Sequence, residues 1–196
     1  MAKPIPGGGP RSFAALPLAA IVVLTAGALL VPVLLGPTQV PLLTGIVMVL
    51  LFAYAWHPVG GILGEISVAH VAFWAAGAYA MVFGQLAGLP FAVSILLGIV
   101  VALLLAAALV ELISAARLDG LGVMIFTLVF RFFVSAIVRA APMLGGTVGT
   151  AVSALPLTVT QVYVAGALFL FVLLLVNYAI LNSRTGLVWL AIRDAA

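Results

Sequence analysis

Long apolar runs, separated by short clusters of proline, glycine and polar residues, dominate this sequence. The stretches 12–64, 66–110 and 140–183 contain no Asp, Glu, Lys or Arg. A helix needs about 20 apolar residues to cross the hydrocarbon core of a bilayer, so each stretch can hold one or two crossings. The strands of a membrane β-barrel alternate apolar and polar residues, and the run 21–35 has no such period. The pattern therefore predicts an all-α, polytopic transmembrane helical bundle.

Breaker residues divide the apolar sequence into about six predicted spans. These spans are 13–35, 40–56, 62–83, 91–113, 120–140 and 161–182. Together they form a predicted transmembrane domain over 13–182, between a tail at 1–12 and a final segment at 183–196. A turn is predicted at 57–61. The third span opens with a glycine-rich, mildly polar stretch, which is typical of an interrupted or re-entrant helix.

The basic residues predict the orientation of these spans. Cytoplasmic loops carry an excess of Lys and Arg. With the N-terminus inside, the opposite side has only Arg139, whereas the cytoplasmic side collects Lys3, Arg11, Arg117, Arg184 and Arg193. Both termini are therefore expected to be cytoplasmic, and the number of spans is expected to be even.

Composition narrows the function classes. Hydrophobic residues make up 67% of the chain and charged residues 6%, whereas soluble domains are about 25% charged. The net charge of +3 is thinly spread, so we expect no nucleic-acid partner. The sequence has no cysteine and no nucleotide-binding, metalloprotease or hydrolase motif. We therefore expect no enzyme activity, no catalytic residue, no metal site and no cofactor in this chain.

The densest polar patch within apolar sequence lies at 64–79. We interpret Glu65, Ser67 and His70 as candidates for a water-accessible solute pathway. The alternative places Glu65 at the membrane interface and gives His70 a neighbouring carbonyl as partner. On a helix the same patch aligns small residues four apart, along which another helix can approach closely. They are Ala72, Ala76, Ala80 and Gly84.

The fifth span carries polar residues at successive i+4 positions, which predicts one polar helix face. They are Thr127, Arg131, Ser135 and Arg139, and Phe126, Phe130 and Phe133 are predicted to cover other directions. An arginine near mid-span costs about 2.5–3.5 kcal/mol on insertion scales, so we expect Arg131 to face water, carbonyls or an acid rather than lipid. It is either a pathway residue or a structural arginine that carbonyls satisfy.

Two further segments are candidate elements. The outer loop 143–150 is glycine-rich through Gly145, Gly146 and Gly149. The last segment has apolar residues at helical spacing, which predicts a short amphipathic piece on the cytoplasmic surface. An ordinary basic flank is the alternative interpretation of its charged residues.

Taken in order, four patches resemble the M-type permease subunits of branched-chain amino acid ABC importers. The first patch runs from Gly64 through His70 to Tyr79, and the second from Arg117 to Leu128. The third is the Gly-Gly-x-x-Gly loop. The fourth lies on the cytoplasmic coupling side and contains Ser183, Arg184, Gly186, Ala191, Ile192, Arg193 and Asp194. Thr127 and Ser135 are candidate pathway residues because they share the polar face of Arg131, and the resemblance adds Tyr79 to the candidate site.

The resemblance implies a passive translocation subunit in a bacterial plasma (inner) membrane. Its partners would be a second permease subunit, ABC ATPase subunits that carry ATP and Mg²⁺, a periplasmic or lipid-anchored solute-binding protein, and membrane lipids. The solute would be a branched-chain or other hydrophobic amino acid, or a related small polar solute. Three departures are Ala69 in place of glycine, Arg131-Phe132 in place of a small and an acidic residue, and an end at Ala196 before the family's coupling loop.

That early end leads us to expect the N-terminal part of a permease, or a half-permease that needs a partner. A non-transporting membrane scaffold or assembly subunit, or a non-functional permease fragment, is the alternative.

Overall fold

The computed structural model describes residues 15–36, 38–141 and 157–195, and these ranges contain helices and no strand. This is the all-α class that the sequence predicts. The helices in chain order are α1 (Ala15–Leu34), α2 (Gln39–His57), α3 (His70–Leu86), α4 (Phe91–Ala115), α5 (Gly120–Ala140), α6 (Val159–Leu181) and α7 (Arg184–Ala195), with a π-helical turn at Pro58–Leu63 between α2 and α3.

Four helices of the described ranges are long and apolar enough to cross a bilayer. They are Gln39–Leu63, Phe91–Ala115, Gly120–Ala140 and Val159–Leu181. The described apolar part of α1, Leu18–Leu34, is shorter, and α3 has 17 residues. At 1.5 Å per residue α3 is about 26 Å long, somewhat less than the hydrocarbon thickness of about 30 Å. The structure thus supports a transmembrane protein, while the count of six spans stays a prediction.

The chain forms two compact units, and the first contains α1, α2, α6 and α7. Helix α6 packs against the other three. The buried core of this unit consists of Val40, Val47 and Tyr163. The Tyr163 hydroxyl donates to the carbonyl of Ala28 at 2.9 Å. Gly166 lets α2 approach closely, since a Cβ there would lie 3.0 Å from a methyl group of Val47. Gly166 thus allows α2 to pack on α6, and the Tyr163 hydroxyl joins α6 to α1.

The second unit contains α3, α4 and α5. Helices α3 and α4 cross where Gly77 meets Gly98, because a Cβ on Gly98 would lie only 2.6 Å from the Gly77 carbonyl oxygen. Further along, a Cβ on Gly84 would lie 3.0 Å from the hydroxyl of the buried Ser94. Of the predicted small-residue stripe, Ala72 and Gly84 are buried, whereas Ala76 and Ala80 are partly buried. The closest approach therefore involves Gly77, which the stripe prediction left out.

The turn predicted at 57–61 is wrong, because α2 continues through the π-helical turn to Leu63. The helix within the third predicted span accordingly begins at His70 rather than at 62. Pro58 has no N–H, so the carbonyl of Tyr54 lacks its helical donor. The side chain of Asn177 on α6 replaces that donor, with Nδ2 donating to the Tyr54 oxygen at 3.2 Å. This bond allows Pro58, which would end an isolated helix, to lie within a helix.

Asn177 is 4% exposed and uses both ends of its amide. Its Nδ2 also donates to the carbonyl of Leu173 at 2.8 Å, and its Oδ1 lies 2.9 Å from Nδ1 of His57. Because two carbonyls need the amide nitrogen, the oxygen must face the imidazole, and we assign the proton to Nδ1 of His57 on this basis. The amide therefore joins α2 and α6 at the helix irregularity.

We expect Asn177→Leu to lower the free energy of unfolding by about 1–3 kcal/mol, because it leaves the Tyr54 carbonyl and the His57 N–H without partners. In a Pro58→Ala background the new backbone N–H can serve Tyr54, so the same change should cost about 1 kcal/mol less. Denaturation of the wild type, the two single variants and the double variant in detergent micelles measures this coupling.

The matched control is Asn182→Leu, since Asn182 is exposed and its side chain bonds only within its own helix end. It should change stability by less than about 0.5 kcal/mol. An equal cost of Asn177→Leu in both backgrounds would show that Asn177 does not replace the missing donor of Pro58.

Candidate functional site

A non-helical segment, 64–69, separates the π-helical turn from α3. It begins at Gly64, whose φ of 83° is the left-handed conformation that glycine adopts without strain. The N–H of Glu65 then donates to the carbonyl of Val59 at 3.1 Å and closes the end of the turn. The interruption that the sequence predicts here is thus confirmed as a break in the helix.

Thr127 on α5 holds this segment in place. The backbone N–H of Val68 donates to Thr127 Oγ1 at 3.2 Å, and the same hydroxyl donates to the carbonyl of Met124 at 3.0 Å. Thr127 is fully buried. Within the segment, the N–H of Ala69 donates to the hydroxyl of Ser67 at 3.4 Å. One threonine therefore satisfies a backbone donor that lies outside any helix.

Aromatic rings extend this contact along α3 and α5. The ring of His70 meets Phe73 edge-on at 6.1 Å between centroids, and Phe73 lies 6.3 Å from Phe130. Phe130 therefore faces α3, on the same side of α5 as Thr127. The sequence predicts that the phenylalanines cover other directions of α5. This is wrong for Phe130, whereas Phe133 is 61% exposed. We call Ser67, His70, Phe73, Thr127 and Phe130 the α3–α5 cluster.

His70 leaves one polar atom of this cluster unsatisfied. Its Nδ1 is buried and has no hydrogen-bond partner among the described residues. Buried polar atoms are hydrogen-bonded in the great majority of cases, so each exception needs an explanation. The carbonyl partner that the alternative interpretation gives to His70 is not found at Nδ1.

Arg131 lies one turn after Thr127 and is partly buried. Its guanidinium carbon is 5.2 Å from the centroid of the Phe132 ring. All four acidic residues of the sequence lie in the described ranges, and none forms a salt bridge with it. The salt bridge found there joins Arg193 to Asp194 at 3.0 Å on the surface.

The other predicted pathway residues are less closely associated with the cluster. Glu65, Tyr79 and Ser135 are partly buried. Arg139 is exposed at the end of α5. The loop glycines Gly145, Gly146 and Gly149 lie outside the described residues. In the described part no group of three or more His, Cys, Asp or Glu could hold a metal ion.

The predicted amphipathic segment is helix α7, which follows α6 closely. Ser183 donates to the carbonyl of Ile180 at 2.7 Å and accepts from the N–H of Gly186 at 3.1 Å. Gly186 is buried there, and a Cβ would overlap the Ile180 carbonyl. Arg184, Arg193 and Asp194 are exposed. The glycine of the fourth patch is thus required by close packing of α7 on the end of α6.

Two features of this geometry escaped the sequence analysis. The pair of His57 and Asn177 was missed, although a single amide inside the apolar run 162–181 was the available signal. The ring contact of Phe73 with Phe130 was missed because it joins residues far apart in the sequence. Neither feature follows from local spacing.

The fold and this site define a helical membrane protein with an interrupted segment held by a buried threonine. No protein-family model, curated protein or solved structure matches the chain. The resemblance to importer permeases therefore stays a prediction, which depends on its four sequence patches.

We expect Thr127→Val to expose the backbone of the interrupted segment, because valine keeps the shape of threonine but cannot accept from the Val68 N–H. Loss of about 1–1.5 kcal/mol of local stability corresponds to roughly tenfold faster amide exchange. Hydrogen–deuterium exchange of the peptide that contains residues 64–70 measures it.

Thr44→Val is the matched control, since the Thr44 hydroxyl bonds only the Val40 carbonyl in its own helix. It should leave exchange at 64–70 unchanged. Equal exchange in Thr127→Val and wild type would mean that the hydroxyl does not hold the segment.

Proposed function

We propose that this chain is a transport subunit of a membrane, and that the α3–α5 cluster lines part of the pathway of a small solute. The observation that carries the proposal is the non-helical backbone of 64–69, tied by Val68 to Thr127 between apolar helices. At membrane depth, such backbone is tolerated only where it is buried in protein or lines a water-filled cavity. Transporters use interrupted helices of this kind at their binding sites.

Arg131 supports the same proposal. A guanidinium keeps its charge and has five donors, so it needs acceptors or water. Ionisable residues within membrane spans mark solute or ion pathways, because their insertion is costly. Arg131 follows Thr127 by one helical turn, on a helix that is long and apolar enough to span a bilayer. A charged residue next to an interrupted helix favours a pathway over a purely structural bundle.

The energy for transport would come from other subunits. The sequence contains no nucleotide-binding motif. The resemblance supplies the partners: a second permease subunit, ABC ATPases with ATP and Mg²⁺, and a solute-binding protein, at a bacterial plasma membrane. The proposed solutes are branched-chain or other hydrophobic amino acids, or a related small polar solute.

The proposed arrangement is six spans with both termini in the cytoplasm, which the excess of basic residues supports. Reporter fusions after residues 36, 88 and 150 should report an extracytoplasmic location. Fusions after residues 64, 117 and 196 should report the cytoplasm; residue 64 is chosen because the helix continues to Leu63. Reversed signals at two or more of these sites would contradict the arrangement.

Uptake in the source organism tests the transport proposal. Deleting the gene should abolish most uptake of labelled leucine, isoleucine or valine, and the wild-type gene should restore it. Thr127→Val should restore it only in part, whereas Thr44→Val should restore it fully.

The tagged protein should also co-purify with an ABC ATPase. Unchanged uptake after deletion, together with a complex that lacks an ATPase, would refute the transport proposal and favour a membrane scaffold.

A further inference from the structure

We infer that the apolar side of α5 is a docking surface for a transmembrane helix of another subunit, and that this helix carries an Asp or Glu that pairs with Arg131. The apolar side has exposed residues at helical spacing along the whole of α5: Leu121, Ile125, Val129, Phe132, Phe133 and Ile137. Helix α5 is little covered from within the chain, because Thr127 is its one buried residue and its main described contact is α3. Lipid would suffice to cover an apolar surface, so the charge of Arg131 decides what lies against it. The inference rests on the proposed function only for the identity of the other subunit.

The counter-charge of Arg131 is not supplied by this chain. The acidic residues of the whole sequence are Glu65, Glu111, Asp119 and Asp194. All four lie in the described ranges, and none forms a salt bridge with Arg131. Ionisable residues within membrane spans pair with one another or with backbone carbonyls, because an arginine near mid-span costs about 2.5–3.5 kcal/mol on insertion scales. A carboxylate that pairs with this guanidinium therefore comes from outside the chain.

The position of Arg131 along α5 argues against a lipid headgroup as that counter-charge. Arg131 is the twelfth residue of a helix of 21 residues, Gly120–Ala140. At 1.5 Å per residue it lies about 14–17 Å from either end, so it is near mid-membrane when α5 spans the bilayer. Lipid phosphates lie outside a hydrocarbon core whose half-thickness is about 15 Å. Arg139, by contrast, is exposed at the end of α5, from where an arginine extends to the interface.

The contact of Arg131 with Phe132 places the guanidinium beside the apolar side of α5. Its carbon atom lies 5.2 Å from the centroid of the Phe132 ring, and Phe132 is 58% exposed. A ring in this position covers a face of the guanidinium plane. The N–H donors point outward within that plane and match the two oxygens of a carboxylate. A helix that packs on the exposed phenylalanines thus brings its own side chains to the guanidinium.

A second copy of this chain does not supply the acid at the required depth. Glu111 is the twenty-first of the 25 residues of α4, and Asp119 directly precedes α5. Glu65 lies in the non-helical segment, and Asp194 pairs with Arg193 in α7. None of the four acids lies halfway along one of the four helices that can span a bilayer. The partner is therefore a different subunit, with an Asp or Glu near the middle of a span. Polar side chains join helices in membranes in this way.

Photo-crosslinking of the full chain in membranes of the source organism tests this inference. A photo-reactive benzoylphenylalanine replaces Phe133, which is 61% exposed on the apolar side of α5. Mass spectrometry of the adduct then identifies the captured peptide. It should belong to a transmembrane segment of another protein, with an Asp or Glu among its central residues. The matched control carries the same group in place of Leu104, which is 65% exposed near the middle of α4. It should react with lipid and not with that segment.

Charge variants show whether Arg131 holds the captured helix. Arg131→Gln should lower the yield of the adduct at least about fivefold, the low end of what an interhelical polar contact contributes in a membrane. Arg131→Glu should lower it further, and changing the acid of the captured helix to Arg should restore it. Arg139→Gln, the exposed control on the same helix, should leave the yield unchanged. Amide exchange at 64–70 should be the same in all variants of this chain, which shows that they are folded.

Four results would overturn the inference. They are adducts with lipid alone, capture of a second copy of this chain, capture of a segment without a central acid, and an equal yield with Arg131 and Arg131→Gln. Equal capture from position 104 would do the same, because it would show contact without a preferred surface. If capture depends on Arg131 while uptake is unaffected by gene deletion, the transport proposal fails and this inference stands. If uptake depends on the gene and position 133 reacts with lipid alone, the reverse holds.

Discussion

Hydrogen bonding of the backbone is the constraint on which the rest of this structure depends. A bilayer offers no water to an exposed N–H or carbonyl, so each must find a partner inside the protein. Regular helices meet this need by themselves, which is why an apolar chain of this kind becomes a set of helices. The informative places are those where the helix is irregular. Pro58 removes one donor from α2, and 64–69 leaves the helical pattern altogether.

A polar side chain from another helix serves each irregularity. Asn177 donates to the Tyr54 carbonyl near Pro58, and Thr127 accepts from the N–H of Val68. Both side chains are buried, so their bonds form where an unpaired group costs about 1–3 kcal/mol. Each irregularity thus fixes one helix against another within its unit. The α3–α5 cluster depends on the second of these contacts, because it brings Phe130 and Phe73 to the same place as Thr127.

The local sequence pattern was sufficient to predict the regular helices, but it could not predict these contacts between helices. The predicted spans 91–113 and 120–140 agree closely with Phe91–Ala115 and Gly120–Ala140, because long apolar runs between breakers leave little choice. The sequence Pro-Val-Gly-Gly predicts a turn on local propensity, but the partner that keeps it helical, Asn177, lies 120 residues from His57. The interrupted segment was predictable from its glycines and polar residues. Its attachment to Thr127 was not, because that bond spans 59 residues.

Arg131 differs from the other polar residues of these helices in what it does for the fold. The side chains of Asn177 and Thr127 form hydrogen bonds with backbone groups at the two irregularities, whereas no acid of this chain pairs with Arg131. Its one described contact, with the ring of Phe132, contributes about 0.5–2 kcal/mol. Insertion of an arginine near mid-span costs about 2.5–3.5 kcal/mol, so this contact alone does not offset it.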